Sequence, residues 1–349
     1  MFVVPAAEGR ALMLSWFQRP KAVDGGETAA PEASPPEPGA VRPDMLDEFP
    51  EPLDGIGNFD LPRGDDFEFE PGEEALLAEV AAAVAKGEFD LPLIPATHLS
   101  LLDLTSDPDA DVGKMDRLIS TDVALTAALL KTANSVLYAG TRRAETVRGA
   151  VLRVGLRGLR SVLLSLSVRS VLFKTNELAP LAEEVWRQSQ SVATNARALA
   201  VPLGLDPERY SVLGLLHDIG KVPLLDILRR LAPRDRDLRA PFIGLVFDRY
   251  HEEVGGKLAA AWNLPEEIVS VAGCHHDFAR NETHRRSAAL VHLAHAQDLF
   301  LSSGRPSEYA ALATSAAMAE LGLAAPMRTG LLDAVRNAYV QRLRDAAVA

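Results

Sequence analysis

From about residue 74 onward, the chain consists of helix-length amphipathic patterns separated by short polar or Gly/Pro-containing joints. Ala and Leu, which favour helices, dominate these patterns, and sustained alternating runs of Val, Ile, Thr and aromatic residues are absent. The predicted helical segments are 74–87, 96–105, 111–120, 123–137, 146–154, 156–173, 181–201, 208–218, 223–231, 241–249, 252–262, 265–275, 285–301, 307–320 and 328–346. The sequence therefore predicts an all-α fold without a fixed-period repeat.

Residues 1–73 have a different composition, rich in Pro, Gly, Ala and acidic residues and poor in clustered apolar residues. Between Asp44 and Glu74, twelve acidic residues face one basic residue, Arg63, so this stretch carries −11 of the formal net charge of −12. Such a segment cannot bury enough apolar surface to offset its chain entropy. We predict that residues 1–73 form a disordered acidic arm.

Two apolar features stand out within the arm. The patch Met13-Leu14-Ser15-Trp16-Phe17 is either a docking motif or the region of an alternative start at Met13. Four phenylalanines are spaced among the acidic residues, namely Phe49, Phe59, Phe67 and Phe69. They either bind a partner or belong to a flexible spacer.

Charge and composition limit the classes of function. Outside the arm the chain is nearly neutral, so no basic surface indicates a nucleic-acid partner. The single cysteine, Cys274, excludes an intramolecular disulfide and is typical of a reducing compartment. No apolar stretch approaches the roughly 20 residues that span a bilayer, and residues 1–20 lack the features of a secretory signal. We expect a cytoplasmic protein without membrane insertion.

A His-Asp pair, His217 and Asp218, follows the apolar run Leu213-Gly214-Leu215-Leu216 and precedes Ile219-Gly220-Lys221. An imidazole and a carboxylate from one short segment offer a divalent metal two ligands of different charge. A buried aspartate requires a partner, which is either a cation or a hydrogen-bonding helix. We expect the helix that carries the pair to end at Gly220.

The histidines are concentrated in one part of the chain. Of the 8 histidines, all except His98 lie between His217 and His295. His251 begins a helical pattern, and the pair His275-His276 closes the next one. Because exposed histidines need no partner but buried ones do, we predict a shared polar site. Its members are His217, Asp218, His251, His275 and His276.

The segments Leu213–Lys221, His251–Trp262 and Asn263–His276 resemble the HD superfamily of metal phosphohydrolases. Upstream motifs narrow the resemblance to the HDOD branch, the HD-related output domain. These motifs are Leu91-Pro92-Leu93-Ile94-Pro95, Asp107-Pro108-Asp109-Ala110, Ile119-Ser120-Thr121-Asp122, Leu130-Lys131-Thr132-Ala133-Asn134-Ser135 and Val154-Gly155-Leu156-Arg157. The resemblance covers roughly residues 85–300 and implies an HD-superfamily-like helical domain with two helical lobes.

The sequence departs from the catalytic pattern of that superfamily at two positions. The first histidine ligand of the family falls on Gln188, and its last aspartate ligand falls on His295. An uncharged amide is a poor ligand for a catalytic transition metal, and an imidazole does not supply the missing negative charge. The cyclic-dinucleotide phosphodiesterase branch also carries a Gly-Tyr-Pro signature, which is absent after His276, and a lysine near its phosphate, which matches Lys221. We expect Gln188, Lys221 and His295 to line the pocket.

The resemblance also implies a domain division and a function. We expect an HDOD-like domain over 74–349, with an N-terminal lobe at 74–175, an HD-like lobe at 176–305 and C-terminal helices at 306–349. The leading hypothesis is a bacterial signal-transduction output or adaptor module that binds signalling proteins, with no catalytic residue and a degenerate pocket that holds a divalent metal ion or none. The alternatives are a metal-dependent phosphohydrolase acting on a nucleotide or cyclic dinucleotide, and a scaffold whose histidines only bond one another. Nucleotide binding without catalysis stays open.

Overall fold

The structure is a computed structural model that describes residues 67–87, 94–107, 109–138, 143–172, 179–232 and 238–348. These residues form α-helices and two short 3₁₀ helices, Val136–Tyr138 and Phe278–Arg280, and they contain no strand. The α-helices are α1 Glu73–Lys86, α2 Ala96–Leu104, α3 Val112–Ser120, α4 Val123–Ala133, α5 Val147–Leu172, α6 Ala179–Ala200, α7 Pro207–Leu216, α8 Lys221–Leu231, α9 Ala240–Ala261, α10 Glu266–Gly273, α11 Arg285–Ser303, α12 Pro306–Ala313, α13 Ala316–Glu320 and α14 Ala325–Val348. The all-α prediction is confirmed. The predicted arm at 1–66, including Met13–Phe17, and the motif residues Leu91–Leu93 and Pro108 lie outside the described residues.

Two differences from the prediction change how the helices are divided. The predicted break between 249 and 252 is wrong, because the stretch contains neither Gly nor Pro and α9 runs through it unbroken. The single predicted helix at 307–320 is also wrong. Ser315 interrupts it, because its side chain accepts a hydrogen bond from the Ala317 N–H and caps α13. The break predicted at residue 155 is present as a kink in α5, where Gly155 has φ 70° and ψ 175°.

The His-Asp pair lies in a turn rather than on a helix. Helix α7 ends at Leu216, residues 217–220 form the turn, and α8 begins at Lys221 with Gly220 as its N-cap residue. The expectation that Gly220 ends the helix is therefore wrong, since the helix stops before His217. The turn points both members of the pair into the interior, where His217 is 0% and Asp218 1% exposed.

Glycines allow the helices around this turn to approach closely. A Cβ atom at Gly220 would overlap the carbonyl oxygen of His251 and lie 2.5 Å from the backbone nitrogen of Gly255. On the far side of α9, a Cβ atom at Gly256 would lie 3.3 Å from the Cα atom of Gly273. We call this row of contacts between α8, α9 and α10 the glycine seam. It fixes the distance of the His-Asp turn from α9 by direct backbone contact.

Helices α2 to α5 enclose an apolar core. Its fully buried side chains are Leu101, Met115, Ile119, Leu125, Leu129, Leu159 and Leu163. The ring of His98 is buried beside this core, with Nδ1 at 2.9 Å from the buried Ser167 hydroxyl oxygen and Nε2 at 3.2 Å from Asp122 Oδ2. Asp122 also caps α4 by accepting a hydrogen bond of 2.9 Å from the Leu125 N–H. His98 therefore joins α2, α4 and α5.

Residues 67–73, which the sequence assigned to the arm, contact Arg239 just before α9. The guanidinium donates to Glu73 at 2.9 and 2.5 Å and to the backbone carbonyl of Glu68 at 3.1 Å. It also lies 5.5 Å from the centre of the Phe67 ring. Glu73 is 1% exposed, so its carboxylate depends on Arg239 for compensation.

The described residues fall into two compact units, one within Gly57–His295 and one within Ala296–Ala349. In the second unit, Phe300 packs against Tyr309 and Tyr339, with ring centres 5.1 and 5.2 Å apart. Gly304 has φ 64° and lies against the Tyr339 ring, where a side chain would not fit. Among the described residues, no helix is long and apolar enough to cross a membrane.

We expect removal of residues 1–66 to leave the melting temperature unchanged, and removal of residues 1–73 to lower it. The longer deletion takes away Glu73 and Phe67 and leaves Arg239 without these partners. Circular dichroism melts of both truncations check this. Equal melting temperatures of the two truncations would show that the contacts of residues 67–73 with Arg239 do not contribute to thermal stability.

We expect Gly220→Ala to destabilise the protein by about 3 kcal/mol or more, because the added methyl group overlaps backbone that has no room to move. Gly330→Ala is the control, since a Cβ atom at this position in α14 meets nothing within 4 Å. It should stabilise the helix by about 0.5–1 kcal/mol. Urea denaturation of the two variants and the parent measures both effects, and a mild Gly220→Ala variant would show that the glycine seam adjusts freely.

Candidate metal centre

The Asp218 carboxylate is the centre of the histidine cluster. Its Oδ1 atom lies 3.4 Å from His251 Nε2 and 3.5 Å from His275 Nε2, and its Oδ2 atom lies 3.2 Å from His217 Nε2. These three imidazoles come from the turn after α7, from the middle of α9 and from the segment after α10. The structure thus brings four of the five predicted residues within direct reach of one another.

Backbone carbonyl groups hold the three rings in one orientation. Nδ1 of His217 donates to Gly214 O at 2.8 Å, Nδ1 of His251 to Phe247 O at 2.6 Å, and Nδ1 of His275 to Val271 O at 3.3 Å. A carbonyl oxygen only accepts, so the proton is on Nδ1 and the Nε2 lone pair faces Asp218. Imidazoles that bind metal ions are commonly oriented in this way by a hydrogen bond from the other ring nitrogen.

The inner atoms of the cluster lack hydrogen-bond partners. Within the described residues, Asp218 Oδ1 and the Nε2 atoms of His251 and His275 are buried without one, and Asp218 Oδ2 is ion-paired with the Lys221 ammonium at 2.5 Å. Lone pairs that face a carboxylate repel it unless a positive charge lies between them. A cation that accepts all of these atoms as ligands resolves the conflict, so the residues present fit a metal ion.

His276 and His295 complete the cluster at its edge. Nδ1 of His295 lies 3.0 Å from His217 Nε2, and the exposed ring of His276 lies 4.9 Å from that of His251 and 5.1 Å from that of His295, between centres. Two overlapping sets of ligands result, each with ligand atoms within 4.8 Å of one another. They are His217, Asp218, His275 and His295, and Asp218, His251, His275 and His276.

Burial and charge set the protonation states. Burial lowers the pKa of His217 and of His295, and it lowers the pKa of His251 to about 3. Burial alone would raise the pKa of the Asp218 carboxyl, but the positive charge of the adjacent Lys221 contributes to holding that pKa well below its usual value. The site therefore presents neutral imidazoles and an ionised carboxylate, which are the forms that bind metal ions.

Gln188 and Lys221 lie on the other side of the carboxylate. Lys221 Nζ is 2.5 Å from Asp218 Oδ2 and donates to Gln188 Oε1 at 3.2 Å. The lysine side chain is 11% exposed, and its ammonium group lies 5.7 Å from the centre of the Phe247 ring. Of the three residues expected to line the pocket, Lys221 and His295 thus contact members of the cluster directly, and Gln188 contacts Lys221.

Sequence reasoning missed Glu252. Its Oε1 atom accepts hydrogen bonds of 2.7 Å from the backbone N–H groups of both His275 and His276. It lies on α9 next to His251, and so it fixes the turn that carries the histidine pair. The one available signal was its position beside His251, which does not specify a partner 23 residues away. His292 Nδ1 contacts the His275 carbonyl at 3.2 Å, and His284 and His98 lie apart from the cluster.

Comparison with known proteins places this geometry in context. An uncharacterised protein of Treponema pallidum is 30% identical over 241 residues, which are 66% of this chain, and the chain spans 46% of that relative's length. The structure of a candidate metal-dependent phosphohydrolase from Shewanella amazonensis matches with a TM-score of 0.58 at 21% identity, over 77% of this chain and all of that one.

A candidate signal-transduction protein from Marinobacter aquaeolei matches with a TM-score of 0.53 at 19% identity, over 82% of this chain and 67% of that one. At these identities the two structures show a shared fold. The model of the HDOD domain matches residues 91–278, more than half of the chain, and spans the His-Asp turn, His251 and both histidines after α10. The resemblance seen in the motifs is therefore confirmed, and the chain belongs to the HDOD domain family.

Proposed function

We propose that this protein is a signal-transduction output or adaptor module that acts by binding other proteins and retains a degenerate HD metal pocket. The main support for the proposal is that Gln188, at the position of the family's first histidine ligand, is hydrogen-bonded to Lys221. Its amide oxygen is engaged by Lys221, and the ammonium of Lys221 lies on the carboxylate that a catalytic metal requires. A hydrolytic site needs a firmly held cation with open coordination positions.

Two further features support a binding role. The Marinobacter aquaeolei protein with a similar fold is described as a candidate signal-transduction protein. Seven large apolar side chains in the described part of the chain are exposed, and five of them lie between Leu99 and Leu152. Val123 is 84%, Leu152 66% and Val136 55% exposed. Apolar side chains in such numbers on helices away from the histidine cluster suit a surface that binds protein partners.

The pocket still has the residues to hold a divalent ion. His217, Asp218, His251 and His275 supply three imidazoles and one carboxylate, with His276 or His295 at the edge. Such an ion would act as a Lewis acid and would lower the pKa of a bound water. Of this machinery, the chain's own residues orient the ligands: Glu252 holds the His275–His276 turn, and three backbone carbonyls hold the rings.

The second candidate function is a metal-dependent phosphohydrolase. The converging Nε2 atoms favour it, and the Shewanella amazonensis protein of similar fold is described as a candidate for that activity. Against it stand the amide at Gln188 and the imidazole at His295 in place of ligands that the family uses. Only one carboxylate, Asp218, is then present in each of the ligand sets of the described residues. We therefore rank it second.

We expect no hydrolysis of bis(p-nitrophenyl) phosphate or of cyclic dinucleotides above the rate of metal ion alone, even with added Mn²⁺. The physical reason is weak retention of the metal ion by a site with one carboxylate. Release of p-nitrophenolate and chromatography of the dinucleotides provide the measurement. Turnover that is lost in Asp218→Ala would establish the phosphohydrolase instead.

A double variant tests the role of the two atypical positions. Gln188→His combined with His295→Asp restores the histidine and the aspartate that the catalytic members of the superfamily use as ligands there. We expect it to bind Mn²⁺ at least about tenfold more tightly than the parent, since it replaces the amide at position 188 with an imidazole and adds a second carboxylate at position 295. Calorimetric titration measures the affinity, and a circular dichroism spectrum confirms that the double variant is folded. An unchanged affinity would mean that these two positions do not limit metal binding.

A further inference from the structure

Lys221 is ion-paired with the carboxylate at the centre of the histidine cluster. Within both ligand sets of the described residues, Asp218 is the one carboxylate. Its two oxygens face different groups: Oδ1 faces the Nε2 atoms of His251 and His275, whereas Oδ2 faces Lys221 Nζ at 2.5 Å. The charge that would attract a metal ion is thus already paired with an ammonium group.

Several groups around the Lys221 ammonium stabilise its positive charge. Besides the carboxylate, it has the carbonyl oxygen of Gln188 at 3.2 Å as an acceptor and the face of the Phe247 ring at 5.7 Å. The lysine follows Asp218 by three residues, at the first turn of α8, so its tether keeps the local concentration of the ammonium high. The aliphatic part of the side chain is buried with it, at 11% exposure of the side chain.

We propose that Lys221 is a tethered internal cation that takes the place of a metal ion on Asp218, so that a divalent ion enters the pocket only by displacing it. The inference rests on the proposed degenerate pocket and names the residue that controls it. Gln188 helps to hold Lys221 in this position. An amide at that position accepts a hydrogen bond from the ammonium and stabilises it on the carboxylate, rather than supplying a ligand to the metal.

Pairing with Lys221 allows Asp218 to stay ionised although the Nε2 lone pairs of three histidines face it. The ammonium satisfies the negative charge of Asp218, and the cost that remains falls on the Nε2 atoms of His251 and His275. A divalent ion would satisfy all of these atoms, but it would meet the positive charge of Lys221 at close range. Like charges a few ångströms apart in a partly desolvated site repel strongly. Metal affinity is therefore set by the lysine as much as by the ligands.

The first test is metal titration of the full chain after chelator treatment and dialysis, with Mn²⁺ and Zn²⁺ as the probes. We expect Lys221→Met to bind at least about tenfold more tightly than the parent, because the competing charge is gone. Lys221→Arg is the matched control and should bind no more tightly than the parent, since it keeps the charge. Lys221→Met combined with Asp218→Asn should lose the gain. Equal or weaker binding by Lys221→Met would overturn the proposal.

The second test uses the parent protein and does not depend on the folding of a variant. Acetic anhydride labels accessible amines, and mass spectrometry reports the label at each lysine. Lys221 should be protected without metal ion and become labelled when Zn²⁺ saturates the pocket, whereas the half-exposed Lys257 should be labelled equally in both states. Unchanged labelling of Lys221 at saturation would overturn the displacement. Hydrolysis measured in parallel tests the proposed function separately, since turnover by the parent would refute that function without touching the competition result.

Discussion

A carboxylate buried among imidazole lone pairs is the constraint on which the second half of the described chain depends. Asp218 is 1% exposed and ionised, and the nearest ring nitrogens offer it no proton. Burying a charge in this way is costly unless a positive charge accompanies it. Lys221, the first residue of α8, supplies that positive charge from a position only three residues after Asp218. The Asp218–Lys221 ion pair is thus the central feature of the site, and the surrounding imidazoles are candidate metal ligands.

Pocket shape and pocket chemistry are determined by different parts of the chain. The shape depends on backbone: three carbonyl groups orient the rings, Glu252 binds two backbone N–H groups, and the glycine seam sets the spacing of α8, α9 and α10. The chemistry depends on a few side chains, such as Gln188 and His295. We therefore expect changes at these side chains to alter what the pocket can bind without altering its outline. An HD-like architecture would then remain intact when the candidate ligand set changes.

The fold class and the membership of the cluster were predictable from sequence because both depend on local pattern. Helical periodicity identified most of the helices, and histidine density between 217 and 295 identified the residues that meet at Asp218. Contacts between distant segments were less predictable. The bond from Glu252 to the backbone of His275 and the ion pair of Arg239 with Glu73 depend on how closely helices approach, and that distance is set by the glycine seam and by packing. The helical pattern predicted two segments where α9 is continuous, although no residue between 249 and 252 interrupts a helix.

The glycine seam also limits how an event in the pocket is transmitted through the protein. Helices with side chains between them slide past one another at small cost, whereas α8, α9 and α10 meet backbone to backbone at Gly220, Gly255 and Gly273. Sliding there brings peptide groups into collision. We therefore expect a change at Asp218 to be passed on by the rotation of individual side chains, of which Lys221 is the nearest, or through the turns that join these helices. The backbone around the histidine cluster is then expected to stay in place, with any movement confined to its edge.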